Sequence, residues 1–415
     1  MIEFERFTLK NGLRLLVHRD ESTPIAAVNT LYDVGARDEN PNQTGFAHLF
    51  EHLMFGGSVN VPNFDTPLQR AGGNNNAFTN NDFTNYYITI PVENIDTAFW
   101  LESDRMLSLA FSPQSLAVQK KVVIEEFKQR YLNQPYGDVW LKLRPMAYKD
   151  HPYQWATIGK SIDHIEDAEL DDVKRFFKMH YQPSNAILVV AGNVEPQEIY
   201  EKVNHWFGSI ASDAKASRKL PAENGSGGYE CEEVFADVPQ AAVYFAWPMA
   251  DRYSDDYPAI DLLTDILSRG KSARLYKALV ADRELFTSIS CYITGSIDPG
   301  LLVISGMLNE GKSFDDVKDA VMAEVDKLVS AEVGENELEK VKNKFESQHV
   351  FSEISAINKA MNLAYYELLG DANDVNGVVK RYREVTAADI QRVAKSVFSN
   401  PAMKELRYKP KKNNA

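Results

Sequence analysis

Cysteine is nearly absent. Cys231 and Cys291 are the two thiols in 415 residues, so no disulfide framework is implied. Long apolar runs are missing as well. None approaches the ~18 residues that a membrane-spanning helix needs, and no membrane span is expected. The opening stretch, MIEFERFTLKNGLRLLV, alternates like a strand and lacks the apolar core of a signal peptide. A cytoplasmic location is therefore expected, or a periplasmic one if a precursor segment has been removed. Excess positive charge is also lacking. A net charge of -14 argues against general nucleic-acid binding and suits basic or neutral peptide partners as well as plain solubility. What remains is 44% hydrophobic and 25% charged, ordinary for a soluble protein. The chain is long enough for two or more domains with substantial cores.

Histidine is scarce, with eight in all, yet two of them lie four apart. The stretch Gly45 to Ser58, GFAHLFEHLMFGGS, contains His48-Leu49-Phe50-Glu51-His52. On a helix His48 and His52 share one face, a spacing at which two imidazoles can grip one zinc ion. Glu51 lies beside that face, where a carboxylate could take a proton from a metal-bound water. Phe46, Ala47, Leu49, Phe50, Leu53, Met54 and Phe55 are apolar, so the helix is expected to be buried on most sides. Buried histidines and a buried glutamate are costly without a partner, which favours a metal. Gly56-Gly57 supplies the stop.

H-x-x-E-H is the inverzincin signature, and its surroundings resemble the pitrilysin/insulinase family of zinc metallopeptidases. The resemblance takes in Gly35, Glu39, the helix, and the exit Gly56-Gly57-Ser58. It continues through Gly73-Asn74-Asn75-Asn76-Ala77-Phe78-Thr79 to Thr84-Asn85-Tyr86-Tyr87. It is strong to about residue 195 and weak beyond. It implies zinc, one ion per chain, and a peptidase similar to the processing-peptidase branch, with bacterial members resembling the mitochondrial processing peptidase beta subunit.

Two histidines leave one protein ligand to find, since catalytic zinc usually has three plus water. The segment Gln119 to Glu126, QKKVVIEE, offers two adjacent glutamates. Helical spacing puts Gln119, Val122 and Glu126 on one stripe, with Glu125 ~100° away, and periodicity alone does not choose between them. The resemblance chooses Glu126 as ligand. It leaves Glu125 as a carboxylate that is solvated or supports a ligand from behind. Gln119 stands where the family commonly has another glutamate, a position behind the ligands that tunes the metal. His18, His164, His180, His205 and His349 have no ligand-like spacing, and His151 sits in a His-Pro-Tyr turn that resembles a structural loop of the family.

Along the chain, strands are expected at 2–9, 13–18 and 25–34, with a turn at Asn11-Gly12. The histidine helix follows, then a strand from Phe83 to Ile90 and helices near 93–109, 113–132 and 138–148. A helix at 169–180 leads to an apolar strand, Ala186 to Ala191, and a helix at 196–207. Residues 211–230, rich in Ser, Ala, Gly and Lys, read as a linker. The second half opens with a strand at 241–247, and strands recur near 286–294 and 301–308. Leu170–Ala186 and Ala387–Met403 share one pattern of helix, aromatic, Asn/Pro and strand, which suggests two copies of one unit. The expected fold class is α+β: two homologous α/β-roll domains, each a mostly antiparallel sheet packed with helices. The boundaries expected are 1–210 for the zinc domain, 211–230 for the linker and 231–415 for the second copy. The second copy's counterpart of the histidine helix, Ile260–Ser272, holds no histidine and hence no metal.

A peptidase that ignores side chains needs main-chain recognition, which an exposed strand edge provides. The resemblance places that edge at Asn74 to Thr79 and implies substrate contacts for Asn76, Ala77 and Phe78. It also implies that four such domains, from two chains, enclose a chamber admitting unfolded peptides. Active members add an Arg and a Tyr from the second copy. Aligned here, those positions hold Val280 and Thr287. The expected arrangement is a catalytic subunit with Glu51 as base and His48, His52 and Glu126 on zinc. Its partner would be a homologous non-zinc subunit that supplies the pair, although a homodimer is possible. The competing readings are a non-catalytic structural or assembly subunit and a peptide-binding module.

Overall fold

The fold is that of a computed structural model, which describes residues 1–215, 217–223 and 227–411. Residues 216 and 224–226 of the expected linker lie outside them. Two mixed sheets are packed with helices. The first contains β1 (Glu5–Thr8), β2 (Arg14–Arg19), β3 (Ile25–Tyr32), β4 (Asn74–Thr79), β5 (Thr84–Pro91) and β6 (Ala186–Gly192). The second contains β7 (Glu230–Ala236), β8 (Ala242–Pro248), β9 (Phe286–Ile293), β10 (Leu301–Leu308) and β11 (Lys404–Pro410).

The strand orders expose the repeat. The first sheet runs β1-β2-β6-β3-β5-β4 and the second β7-β11-β8-β10-β9. With β1 set aside, the two orders are the same path. In each, the last strand inserts beside the first as the one parallel pair, β2 with β6 and β7 with β11, and every other pairing is antiparallel. The helix Tyr257–Ser268 lies between β8 and β9 in the chain, as Phe46–Leu53 lies between β3 and β4. The fully apolar β6, AILVVAG, is buried at all seven positions, as a strand paired on both sides and covered on both faces must be.

Two compact units are present, and neither is continuous in sequence. The first comprises Met1–Lys128, Trp155–Leu220 and Val350–Gly377; the second comprises Gln129–Gln154, Pro221–His349 and Val378–Ala415. The helix Ala356–Leu369, from the second half of the chain, therefore packs on β3 and β6 of the first sheet. It buries Ala360, Leu363, Ala364 and Tyr366 there. Ion pairs fasten it: Glu367 with Arg6 at 2.9 Å, and Lys359 with Asp20 at 2.7 Å. Reciprocally, the helix Val139–Ala147 joins the second unit, where Leu143 and Met146 share a core with Ala242, Val303 and Tyr408.

Residues 211–215 and 217–220 belong to the first unit and are held to it. Arg218 donates to both carboxylate oxygens of Asp38, at 2.6 and 3.0 Å, and to Asp33 at 2.8 Å, and Lys215 also pairs with Asp33. Their Ser- and Ala-rich composition reads as loose chain, but two cations directed at a buried carboxylate pin it. β7 begins at Glu230, inside an acidic run that offers little strand signal. Its carboxylates are matched by Lys404, Arg407 and Lys409 on β11.

Candidate metal centre

The histidine helix spans Phe46–Leu53. It starts at Gly45, whose φ of +88° suits glycine. A Cβ there would lie 2.7 Å from the Ile158 carbonyl oxygen. No side chain of the cap residue serves the helix's first amides. Glu39 does this from a distance: its two oxygens accept the amides of Gly45 and Ala47, both at 2.9 Å. This carboxylate is 5% exposed and sits where the helix dipole favours negative charge. Burial drives its carboxyl up, to about 8, against those amide bonds and Trp155.

Below the helix, Phe50 stacks on Phe176 and Tyr181, each at 5.0 Å, and the Tyr86 hydroxyl donates to the Phe50 carbonyl at 3.4 Å. Arg105 is buried among Phe55, Phe64 and Tyr86, 4.4 Å from the Tyr86 ring centre. It pairs with Glu102, which also accepts from Thr30 at 3.0 Å. The helix therefore rests on a packed aromatic floor with a neutralised charge within it.

The third residue arrives from the helix Pro113–Phe127. Its start is fixed by Pro113 at the first position and by Ser112, whose hydroxyl accepts the Ser115 amide at 3.0 Å. Val123 and Phe127 are buried, which turns Glu126 toward the histidines. Glu126 Oε2 lies 3.4 Å from His52 Nε2 and 3.7 Å from His48 Nε2. Among the described residues, these three form the one such donor group, with ligand atoms all within 4.8 Å of one another. Tetrahedral zinc with bonds of ~2.0–2.1 Å needs ligand atoms about 3.4 Å apart. The donor set and its spacing therefore fit zinc.

Glu51 projects beside this cluster. Burial and the nearby Glu126 push its carboxyl up, while Thr79 and His52 pull it down. Glu125 lies on the outer face of its helix, 62% exposed, and pairs with Lys128 at 2.9 Å. Gln119 lies against Gly56 at the exit of the histidine helix, its Nε2 3.8 Å from where a Cβ on that glycine would be. The remaining histidines have other settings. His164 accepts the Thr44 amide, and His18 bonds the Glu3 carbonyl. His151 meets the Tyr153 ring edge-on and faces Asp298 at 3.5 Å.

β4 borders the site as an edge of the first sheet, and the histidine helix packs against it. The Asn80 amide donates to the Phe83 carbonyl at 3.1 Å. Alternation along an antiparallel pair then assigns the main-chain bonds toward β5 to Phe78, Asn76 and Asn74. The groups of Thr79, Ala77 and Asn75 face the open edge. The Thr79 amide there faces Glu51. Asn76 and Phe78 are exposed, and the Phe78 ring meets Phe83 at 5.8 Å.

In the second unit, the helix at the equivalent position carries Asp261, bound by the Tyr382 hydroxyl at 2.6 Å, and Asp265, paired with Arg269 at 3.2 Å. Thr287 accepts from Gln240 at 2.9 Å, and Arg274 is bidentate on Glu337. No helix among the described residues is long and apolar enough to cross a membrane.

Comparison with known proteins agrees with this architecture. Residues 14–159 match the family described as insulinase (peptidase family M16), and residues 167–345 match the peptidase M16 inactive domain. The chain is 29% identical over 414 residues to the zinc protease PqqE of Helicobacter pylori, covering 98% of this chain and 93% of that one. It is 26% identical over 352 residues to a probable mitochondrial-processing peptidase subunit beta of Arabidopsis thaliana, covering 82% and 66%. A crystal structure of a protease from Helicobacter pylori superposes with a TM-score of 0.92 at 28% identity, covering 99% and 100%. A peptidase M16 inactive domain from Pseudomonas fluorescens shares the fold at a TM-score of 0.87 and 16% identity, covering 99% and 98%. With both halves matched in order, and with His48, His52 and Glu126 the one such donor group among the described residues, the chain belongs to the M16 peptidase family.

Proposed function

We propose that this protein is a zinc-dependent endopeptidase acting on unfolded peptides. The observation that carries the reading is the convergence of His48, His52 and Glu126 at zinc spacing with the Glu51 carboxyl beside them. A zinc ion held there would lower the pKa of its water to ~7 and polarise a peptide carbonyl. Glu51 would be the group that holds the proton, taking it on the attacking side and delivering it to the leaving amine. β4 presents the outward main-chain groups of Ala77 and Thr79 to an extended peptide, with Asn76 and Phe78 flanking. Because β4 borders the histidine helix, such a peptide would pass the Glu51 carboxylate.

The same reading assigns a partner. With Val280 and Thr287 where active relatives carry an Arg and a Tyr, the chain has a metal half without the clamp half. A homologous non-zinc subunit would complete it. The test is metal analysis of the purified chain together with a quenched-peptide assay, alone and with candidate partner subunits. Stoichiometric zinc with turnover is expected. A zinc-free chain with no turnover in any mixture would favour the structural or assembly-subunit reading instead.

A further inference from the structure

The open edge of β4 is not bare. The register leaves the amides of Asn75, Ala77 and Thr79 facing outward. Thr79 has the Glu51 carboxylate before it. The Ala77 amide is satisfied by its own neighbour: it donates to Asn76 Oδ1 at 2.8 Å. An exposed asparagine therefore folds back across the edge at the middle outward amide of a six-residue strand. A peptide carbonyl pairing with β4 needs that same amide.

We propose that Asn76 is a gate on the edge strand, a residue that governs peptide access by capping the Ala77 amide until a peptide carbonyl displaces it. This rests on the reading of β4 as the peptide's partner strand. Asn76 itself lies at a position whose main chain is committed to Tyr87 on β5. Only its side chain is free to move, so opening the gate costs one side-chain rotation and leaves the sheet intact. The exchange is nearly balanced, one amide bond for another. Its selectivity comes from length. A single peptide carbonyl gains little, whereas an extended peptide that also reaches the main-chain groups of Asn75 gains further bonds. Folded surfaces and short fragments are disfavoured. The cap also blunts an edge that could otherwise pair with another copy of the chain.

Two measurements on the full-length protein test this. The first is residue-resolved hydrogen exchange at the Ala77 amide. In Asn76→Ala the amide should exchange ~3–10-fold faster than in the wild type, the loss of one modest hydrogen bond. The second is binding of a fluorescein-labelled unfolded peptide by anisotropy, with cleavage followed in the same samples after zinc loading. Asn76→Ala should bind ~3–10-fold more tightly. Asn76→Asp, with a charge-assisted cap, should bind more weakly than the wild type. Thermal melts establish that both variants fold. Equal Ala77 exchange in wild type and Asn76→Ala would overturn the cap. Weaker binding by Asn76→Ala would make Asn76 a substrate contact and overturn the gate, as would peptide binding to neither protein. Tighter binding by Asn76→Ala without cleavage by any zinc-loaded form would uphold the gate and reject the peptidase reading.

Discussion

Lys359 Nζ lies 2.7 Å from Oδ2 of Asp20, although 339 residues separate them. The bond ties a helix from the second half of the chain to the end of β2. Burial alone would lift the Asp20 carboxyl. Lys359 and Ser22 outweigh it and hold the group at about 2, below its ordinary value of 3.8. A carboxyl lowered by folding stabilises above the unfolded value and loses that contribution as pH falls through the folded one. Acid should therefore weaken the first unit between about pH 4 and pH 2. Lys359→Met should destabilise by about 1–3 kcal/mol at neutral pH and flatten the stability curve within that window. Urea melts at several pH values check both; an unchanged pH dependence in the variant would detach Asp20 from the effect.

Glu39 should matter to the metal without touching it. Glu39→Ala leaves the amides of Gly45 and Ala47 without an acceptor at a buried helix start, at a cost of about 2–4 kcal/mol. Zinc affinity should fall with it by ~10–100-fold, as when groups supporting a ligand are removed. Isothermal titration with zinc and a thermal melt read the two effects, and undiminished affinity in a destabilised variant would separate the cap from the site.

The two adjacent glutamates make a matched pair. Glu126→Gln should cost far more zinc affinity than Glu125→Gln, since Glu126 stands 3.4 Å from His52 Nε2 while Glu125 faces solvent and Lys128. Equal losses from both variants would remove Glu126 from the ligand set.

Glu51→Gln preserves the shape of the site but cannot take a proton. Peptide cleavage should drop at least ~100-fold with zinc content unchanged. Near-normal turnover by a zinc-replete variant would assign the proton to another group.

Zinc content and activity should also come apart in the wild type. Purified alone, the chain is expected to bind zinc yet cleave peptides poorly, and to gain activity with a homologous subunit lacking H-x-x-E-H. Full activity in a homogeneous preparation, unchanged by any partner, would dispose of the divided-site proposal.

Much of this architecture is legible in one dimension because its signals are local. The spacing of His48 and His52, the Asn11-Gly12 turn and the apolar run of β6 each need only a few neighbours in sequence. Glu126 is different. Periodicity places it and Glu125 on two faces, and packing of Val123 and Phe127 decides which face meets the histidines. The docking of Ala356–Leu369 on the first sheet is harder still. Its apolar stripe announces a buried face but carries no address, and the partners that hold it, Arg6 and Asp20, lie at the other end of the chain. The pinning at Lys215 and Arg218 is hidden for the same reason, since in a polar stretch both look like solvated charges until Asp33 and Asp38 are set beside them.

The interleaving of the two units has a consequence in time. All six strands of the first sheet are available once Gly192 has been synthesised. The helix that covers β3 and β6 begins about 160 residues later, which at ~5–20 residues per second is roughly 8–30 s of translation. Throughout that interval the nascent sheet presents an apolar face with nothing of its own to bury it. A chain built this way completes its first unit only after Gly377 has been made, although all six strands of that unit's sheet precede Val194.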